Sequence, residues 1–145
     1  MAVVLPELEH EWMRPLDSMP TESPATEPLV DVRRLAQALS EFARARTWEQ
    51  FHSPKNLVMA LSGEVGELTE IFQWMTETAS HEAARDPATS GAVREELADV
   101  LLYLVRLADV LGVDLSEAAT EKLRVNAAKY PIDIARGTSK KYTQL

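Results

Sequence analysis

The chain has 145 residues, 46% of them hydrophobic, no cysteine and a formal net charge of −8. This suits one domain with apolar matter enough for a core, and the missing thiols exclude disulfides, zinc–thiolate centres and thiol nucleophiles while fitting a reducing, cytoplasmic setting. The acidic balance argues against a nucleic-acid or anionic-membrane surface, although a bound divalent cation could still reverse the local field for a phosphorylated small molecule.

Residues 1–28 are broken by Pro6, Pro15, Pro20, Pro24 and Pro28. No apolar period survives there, so a disordered or loosely packed tail is expected. The same stretch lacks the basic-then-apolar order of a signal peptide, and no apolar run in the chain nears the length of a membrane span. Asp31 is placed to cap a first helix, in which Val32, Leu35, Leu39 and Phe42 recur at helical spacing to about Arg46. Thr47–Ser53 reads as a connection. Ser53-Pro54 opens a second helix with a capping hydroxyl followed by a proline whose missing N–H costs nothing. It is expected to run to about Met75, interrupted by Gly63 and Gly66 at roughly 1 kcal/mol each relative to alanine. The compensation expected of them is the close approach of another backbone or a ligand.

Residues 77–90 read as a surface loop. A third helix follows from about Ala92 to Leu111, ended by Gly112. Asp114-Leu-Ser-Glu117 resembles a capping box for a fourth, which Pro131 closes. Residues 132–145, with Arg136, Lys140 and Lys141, look like an extended basic tail. With no strand alternation anywhere, the prediction is an all-α four-helix bundle over residues 29–131. The wide apolar arcs of the second and third helices point to further burial by self-association.

Two acidic pairs stand out: Glu64/Glu67 on the second helix and Glu96/Asp99 on the third. Each is spaced i, i+3 and so shares one helix face. Glu64 interrupts the apolar line Leu57, Leu61, Leu68, Ile71, and Glu96 the line Val93, Val100, Leu104, Leu107. An acid on a buried line is costly unless it is paired or holds a metal, and there are too few bases at helical spacing to pair all four. Carboxylates suit hard cations, and Mg²⁺ facing a phosphate substrate is the best use of such a cluster. A di-iron bundle would need Glu-x-x-His on two helices. The chain offers that spacing once, at Glu49 and His52, in a connection. There is no Walker-type loop and no recognisable protein nucleophile, so activation falls to metal and the reaction class is hydrolysis of a phosphate or phosphoanhydride. Trp48, Phe51, Trp74 and Tyr103 are candidate stacking surfaces for a base, although aromatics at this spacing are more often core. Lys122, Asn126 and Lys129, at i, i+4 and i+7, could face phosphate oxygens or simply solvent.

At these residues the chain resembles the all-α nucleotide pyrophosphohydrolases of MazG-like type, above all their dCTP pyrophosphatase branch. The likeness spans about residues 30–145. It is carried by Trp48-Glu-Gln-Phe-His52, Gly63-Glu64-Val-Gly-Glu67-Leu, Phe72-Gln-Trp74, Glu95-Glu96-Leu-Ala-Asp99-Val-Leu-Leu-Tyr103, Lys129-Tyr-Pro131 and Lys140-Lys-Tyr-Thr143. The resemblance implies Mg²⁺-dependent cleavage of a deoxynucleoside triphosphate, dCTP or a 5-modified dCTP, to monophosphate and pyrophosphate, by a homotetramer that clears unwanted nucleotides. Carried over by position, Glu64, Glu67, Glu96 and Asp99 would hold magnesium. Trp48, Glu49, Gln50, Phe51, His52, Trp74 and Tyr103, and more weakly Lys122, Asn126 and Lys129, would contact the nucleotide. One departure concerns specificity: vertebrate-type members carry a histidine in the first helix where Leu39 stands. The same chemistry on dUTP or a damaged purine nucleotide, or a non-catalytic interaction module on this scaffold, are the competing readings.

Overall fold

The computed structural model describes residues 29–144; the tail expected over residues 1–28 lies outside them. The described chain is helical, and no strand occurs among its residues. There are four long helices, α1 (Arg33–Ala45), α2 (Pro54–Phe72), α4 (Ser90–Leu111) and α5 (Leu115–Lys129); the first three pack together, whereas the fourth member expected of the bundle, α5, has little contact with them. Two single-turn helices, α3 (Glu77–Ser80) and α6 (Ile132–Ala135), and two 3₁₀ turns, Trp48–Phe51 and Tyr142–Gln144, join or follow them. No helix among the described residues is long and apolar enough to cross a membrane.

Most boundaries follow the side chains that cap them. The Asp31 carboxylate accepts the backbone N–H of Arg33 at 3.0 Å, so it caps α1 from one position outside the residue that flanks it. Ser53 Oγ accepts from the Asn56 N–H, and Asn56 Nδ2 donates to the Phe51 carbonyl. Together these tie the start of α2 to the preceding turn. The apolar pattern carries α2 past Met75, yet the helix stops at Phe72 because Thr76 Oγ1 captures the Ala79 N–H and starts α3. The 77–90 segment is therefore more than a surface loop. Ala83 is buried and its carbonyl accepts from Thr89 Oγ1 at 2.7 Å. Gly112, at φ +67°, closes α4 in the left-handed region. The Asp114 carboxylate then accepts from the Glu117 N–H to begin α5.

Helix α4 is the centre of the packing, with α2 laid along it and α1 against it. Leu57 and Val105 are the largest fully buried side chains, joined by Ala43, Ala83, Val93 and Ala108. Burying a leucine is worth about 1.5–3 kcal/mol, but this set is small for the chain's apolar content. Many other apolar residues among those described are only half-buried or exposed. Leu97, Leu101 and Leu104 form an exposed stripe on α4, and Val58, Met59 and Val65 are exposed on α2. Helix α5 contributes no fully buried residue. Beyond it, where an extended tail was expected, Tyr142 packs edge-on to Tyr130 at 6.1 Å, with the Lys129 ammonium 5.1 Å from the Tyr142 ring.

Candidate active site

Because α2 and α4 lie side by side, Glu64 of the first acidic pair meets both members of the second. One carboxylate oxygen from each of Glu64, Glu96 and Asp99 lies within 4.8 Å of the others, and all three residues are partly buried. Glu67 is more exposed, but its charge reaches the same point. Burial raises the Glu64 carboxyl above the ordinary carboxylate range, with repulsion from Glu67 and Asp99 added. Burial likewise raises Glu96, followed by repulsion from Glu67, Glu64, Asp99 and Glu95. None of the four takes part in an ion pair among the described residues.

The Glu96 Oε2 atom is buried with no hydrogen-bond partner. A buried acceptor left without a donor is costly, and converging carboxylates without a base make it more so. An all-oxygen donor set of this kind fits a hard divalent cation such as Mg²⁺.

A cleft of about 160 Å³ opens beside the cluster. Leu39 and Phe42 of α1 form one wall, Trp48 and His52 a second, and Asp99, Leu102, Tyr103 and Arg106 of α4 the floor. Asp99 thus borders both the cluster and the cleft. The turn that presents Trp48 is set by Thr47, whose φ of +55° is unusual for a β-branched residue. The Gln50 side-chain amide holds that turn by donating to the Thr47 carbonyl at 2.9 Å. Trp48 stands edge-on to Phe42 at 5.8 Å and to His52 at 6.4 Å. The Arg46 guanidinium lies 3.5 Å from the centre of the Phe42 ring and braces this wall from behind.

Comparison with known proteins bears on this arrangement directly. The profile of the MazG-like family matches residues 59–145, a span that contains both acidic pairs. The chain belongs to the MazG-like family. It is 50% identical over 117 residues to dCTP pyrophosphatase 1 of Mus musculus and equally so to that of Homo sapiens, covering 81% of this chain and 67% of each relative. A solved pyrophosphatase from Archaeoglobus fulgidus superposes with a TM-score of 0.63 at 42% identity, over 68% of this chain and 90% of the other. A dATP/dGTP diphosphohydrolase of Cyanophage S-2L is 34% identical over 64 residues, covering 44% of this chain and 54% of its own.

Within this MazG-like chain the residues singled out from the sequence fall into two groups. Glu64, Glu96, Asp99, Trp48, His52 and Tyr103 gather at the cluster and the cleft. The others do not line the cleft. Glu49 pairs loosely with Arg44 at 3.8 Å, Gln50 is spent on the Thr47 turn, and Phe51 faces solvent. Trp74 is 88% exposed just past α2, and Lys122, Asn126 and Lys129 lie on α5. Of the two alternatives expected at Gly63 and Gly66, the close approach of another backbone does not occur among the described residues, since a Cβ at either would have nothing within 4 Å.

Three cleft residues, Phe42, Leu102 and Arg106, went unremarked as site candidates in the sequence. Phe42 was legible only as the last member of an apolar line. Arg106 lies seven residues past Asp99 on the same helical face, a spacing that could have drawn attention to it.

Proposed function

We propose that this chain hydrolyses a deoxynucleoside triphosphate, dCTP or a 5-modified dCTP, to the monophosphate and pyrophosphate. The observation that carries the proposal is the meeting of Glu64, Glu96 and Asp99 around an unpartnered buried oxygen, at the mouth of an aromatic cleft. The relatives named as dCTP pyrophosphatases support the substrate class. Glu64, Glu96 and Asp99, with Glu67 at the rim, are assigned to hold Mg²⁺. When bound there, the ion supplies charge neutralisation for the triphosphate and a lowered pKa for water.

The residues themselves account for selection and orientation. Trp48 offers its ring to the base, a contact worth about 1–3 kcal/mol per stacked base. Phe42 and Leu39 exclude water from the base's other edges, and Tyr103, one turn past Asp99 on α4, lines the same pocket. A cavity near 150 Å³ takes up a benzene-sized ring, so the 160 Å³ here favours a single pyrimidine ring. Placing the base in the cleft sets the triphosphate against the carboxylates, since Asp99 borders both.

The exposed stripe of α4 and the almost bare Trp74 indole support assembly into a homotetramer. In that assembly Trp74, Lys122, Asn126, Lys129 and the Glu49–Phe51 turn are assigned to the outer side of the nucleotide. A cytoplasmic location completes the proposal.

A second reading keeps the chemistry and changes the base. The partial likeness to a purine-nucleotide diphosphohydrolase favours it, as does Leu39 in the cleft wall where vertebrate-type relatives place a histidine. Pyrophosphate release from each canonical and 5-methyl dNTP, with Mg²⁺ and with EDTA, separates the possibilities. Highest kcat/KM on a cytosine nucleotide, abolished by EDTA, is expected. A purine preference selects the second reading, and no release from any nucleotide leaves a non-catalytic module.

A further inference from the structure

Arg106 is a charged residue in the bundle's interior, only 8% exposed. Its guanidinium makes two directed contacts. The Nε–H donates to His52 Nδ1 at 3.2 Å, and Nη1 donates to Asp109 Oδ2 at 2.6 Å. The first joins residues 54 positions apart in sequence and closes one end of the cleft that both of them line.

An arginine side chain has donors only. The ring nitrogen it meets must therefore carry a lone pair, and in a neutral imidazole the proton then sits on Nε2. A second proton on His52 would set N–H against N–H across the same 3.2 Å contact. Burial, then the Arg106 charge, lower the histidine's pKa in agreement with this, opposed by Glu49 on the adjoining turn. On the ring's far edge, Nε2–H has no hydrogen-bond partner among the described residues, and it is not among the buried unsatisfied atoms.

We infer that Arg106 is a positioning residue. Its buried guanidinium locks His52 as the neutral Nε2–H tautomer, so that the cleft offers a bound base one fixed hydrogen-bond donor. The complementary group is an acceptor on a pyrimidine edge, either a ring carbonyl oxygen or the unprotonated ring nitrogen of cytosine. Asp109 holds the guanidinium from the other side and fixes its plane. The substrate side of this inference rests on the pyrophosphatase reading above; the ring assignment does not.

The test has two arms. Long-range ¹H–¹⁵N spectra of the intact protein, with His52→Gln to identify the signal, report which ring nitrogen is protonated. Nδ1 bare and Nε2 protonated at neutral pH is expected, and Nδ1 protonated overturns the inference. Arg106→Met should then give a mixture of tautomers and raise KM for the preferred nucleotide about tenfold, the worth of one hydrogen bond, with kcat little changed. Arg106→Lys retains a donor-only group and should restore the tautomer and most of the affinity, which a loss of mere packing would not.

If Arg106→Met leaves both tautomer and KM as in the wild type, the inference fails. If that variant does not fold, the wild-type spectrum and the lysine variant decide. If the wild type releases pyrophosphate from no nucleotide, the pyrophosphatase reading fails on its own, and the ring spectrum still decides the tautomer.

Discussion

Glu64→Gln should make the protein more stable and less able to function, in opposite directions from a single atom change. The oxygens of Glu64 and Asp99 approach within 4.8 Å. At an effective dielectric of ~20, two unit charges at that distance repel by about 3 kcal/mol. Solvent on the open side reduces this by roughly half, leaving about 1–2 kcal/mol of strain in the metal-free protein. The sign follows from the raised carboxyl: an acid whose pKa rises on folding opposes the fold once ionised, so the comparison is made well above the carboxylate range. The glutamine removes the charge and brings an N–H donor near the unpartnered Glu96 oxygen. Urea denaturation in EDTA should therefore show the variant more stable by about 1–2 kcal/mol. With Mg²⁺ at a hundredfold excess over its dissociation constant, the wild type should gain about 2.7 kcal/mol and overtake it, while the variant gains little and turns over no nucleotide. A variant less stable than wild type in EDTA, or equally responsive to Mg²⁺, refutes the reasoning.

Leu57→Ala empties the best-buried position of α2 and should cost about 2–5 kcal/mol in the same denaturation assay. His52 has a folded pKa below its ordinary 6.5, so its contribution to stability is present above that pH and is lost as pH falls through the folded value; urea midpoints from pH 8 to 5 should fall more steeply for wild type than for His52→Gln. Gly66→Ala places a methyl in open space on α2 and should stabilise the fold by about 0.5–1 kcal/mol, read as a higher urea midpoint. Gly112→Ala should cost about 1–2 kcal/mol of stability, read as a lower urea midpoint, because its φ of +67° penalises any Cβ.

The architecture was largely legible because its punctuation is local. Ser53-Pro54, Gly112 and Asp114 each act on the backbone within a turn or so of themselves, and the structure uses all three where the sequence places them. The end of α2 was misjudged because two signals compete there. The apolar period runs on to Met75, but the Thr76 cap begins a new helix and prevails. The acidic pairs were legible as two interruptions of apolar lines; that they meet depends on the packing of α2 against α4. Arg106 is the instructive omission. A charged residue beside a leucine-rich line looks like a solvated face, and its meaning lies in His52, half a domain away in sequence. The expected line Val93, Val100, Leu104, Leu107 also proved too simple, since Leu104 is exposed while Val105 and Ala108 are buried.

Asp99 is a shared border between two compartments, the acidic cluster and the aromatic cleft, proposed above for an ion and a ring. Whatever loads one chamber alters the electric field in the other, and linkage makes that influence mutual: a divalent ion that sharpens affinity for a nucleotide must be held more tightly, by the same factor, once the nucleotide is in place. A bare nucleoside and a bare cation would then each be poor guests, and the protein would discriminate against incomplete substrates by their failure to recruit one another.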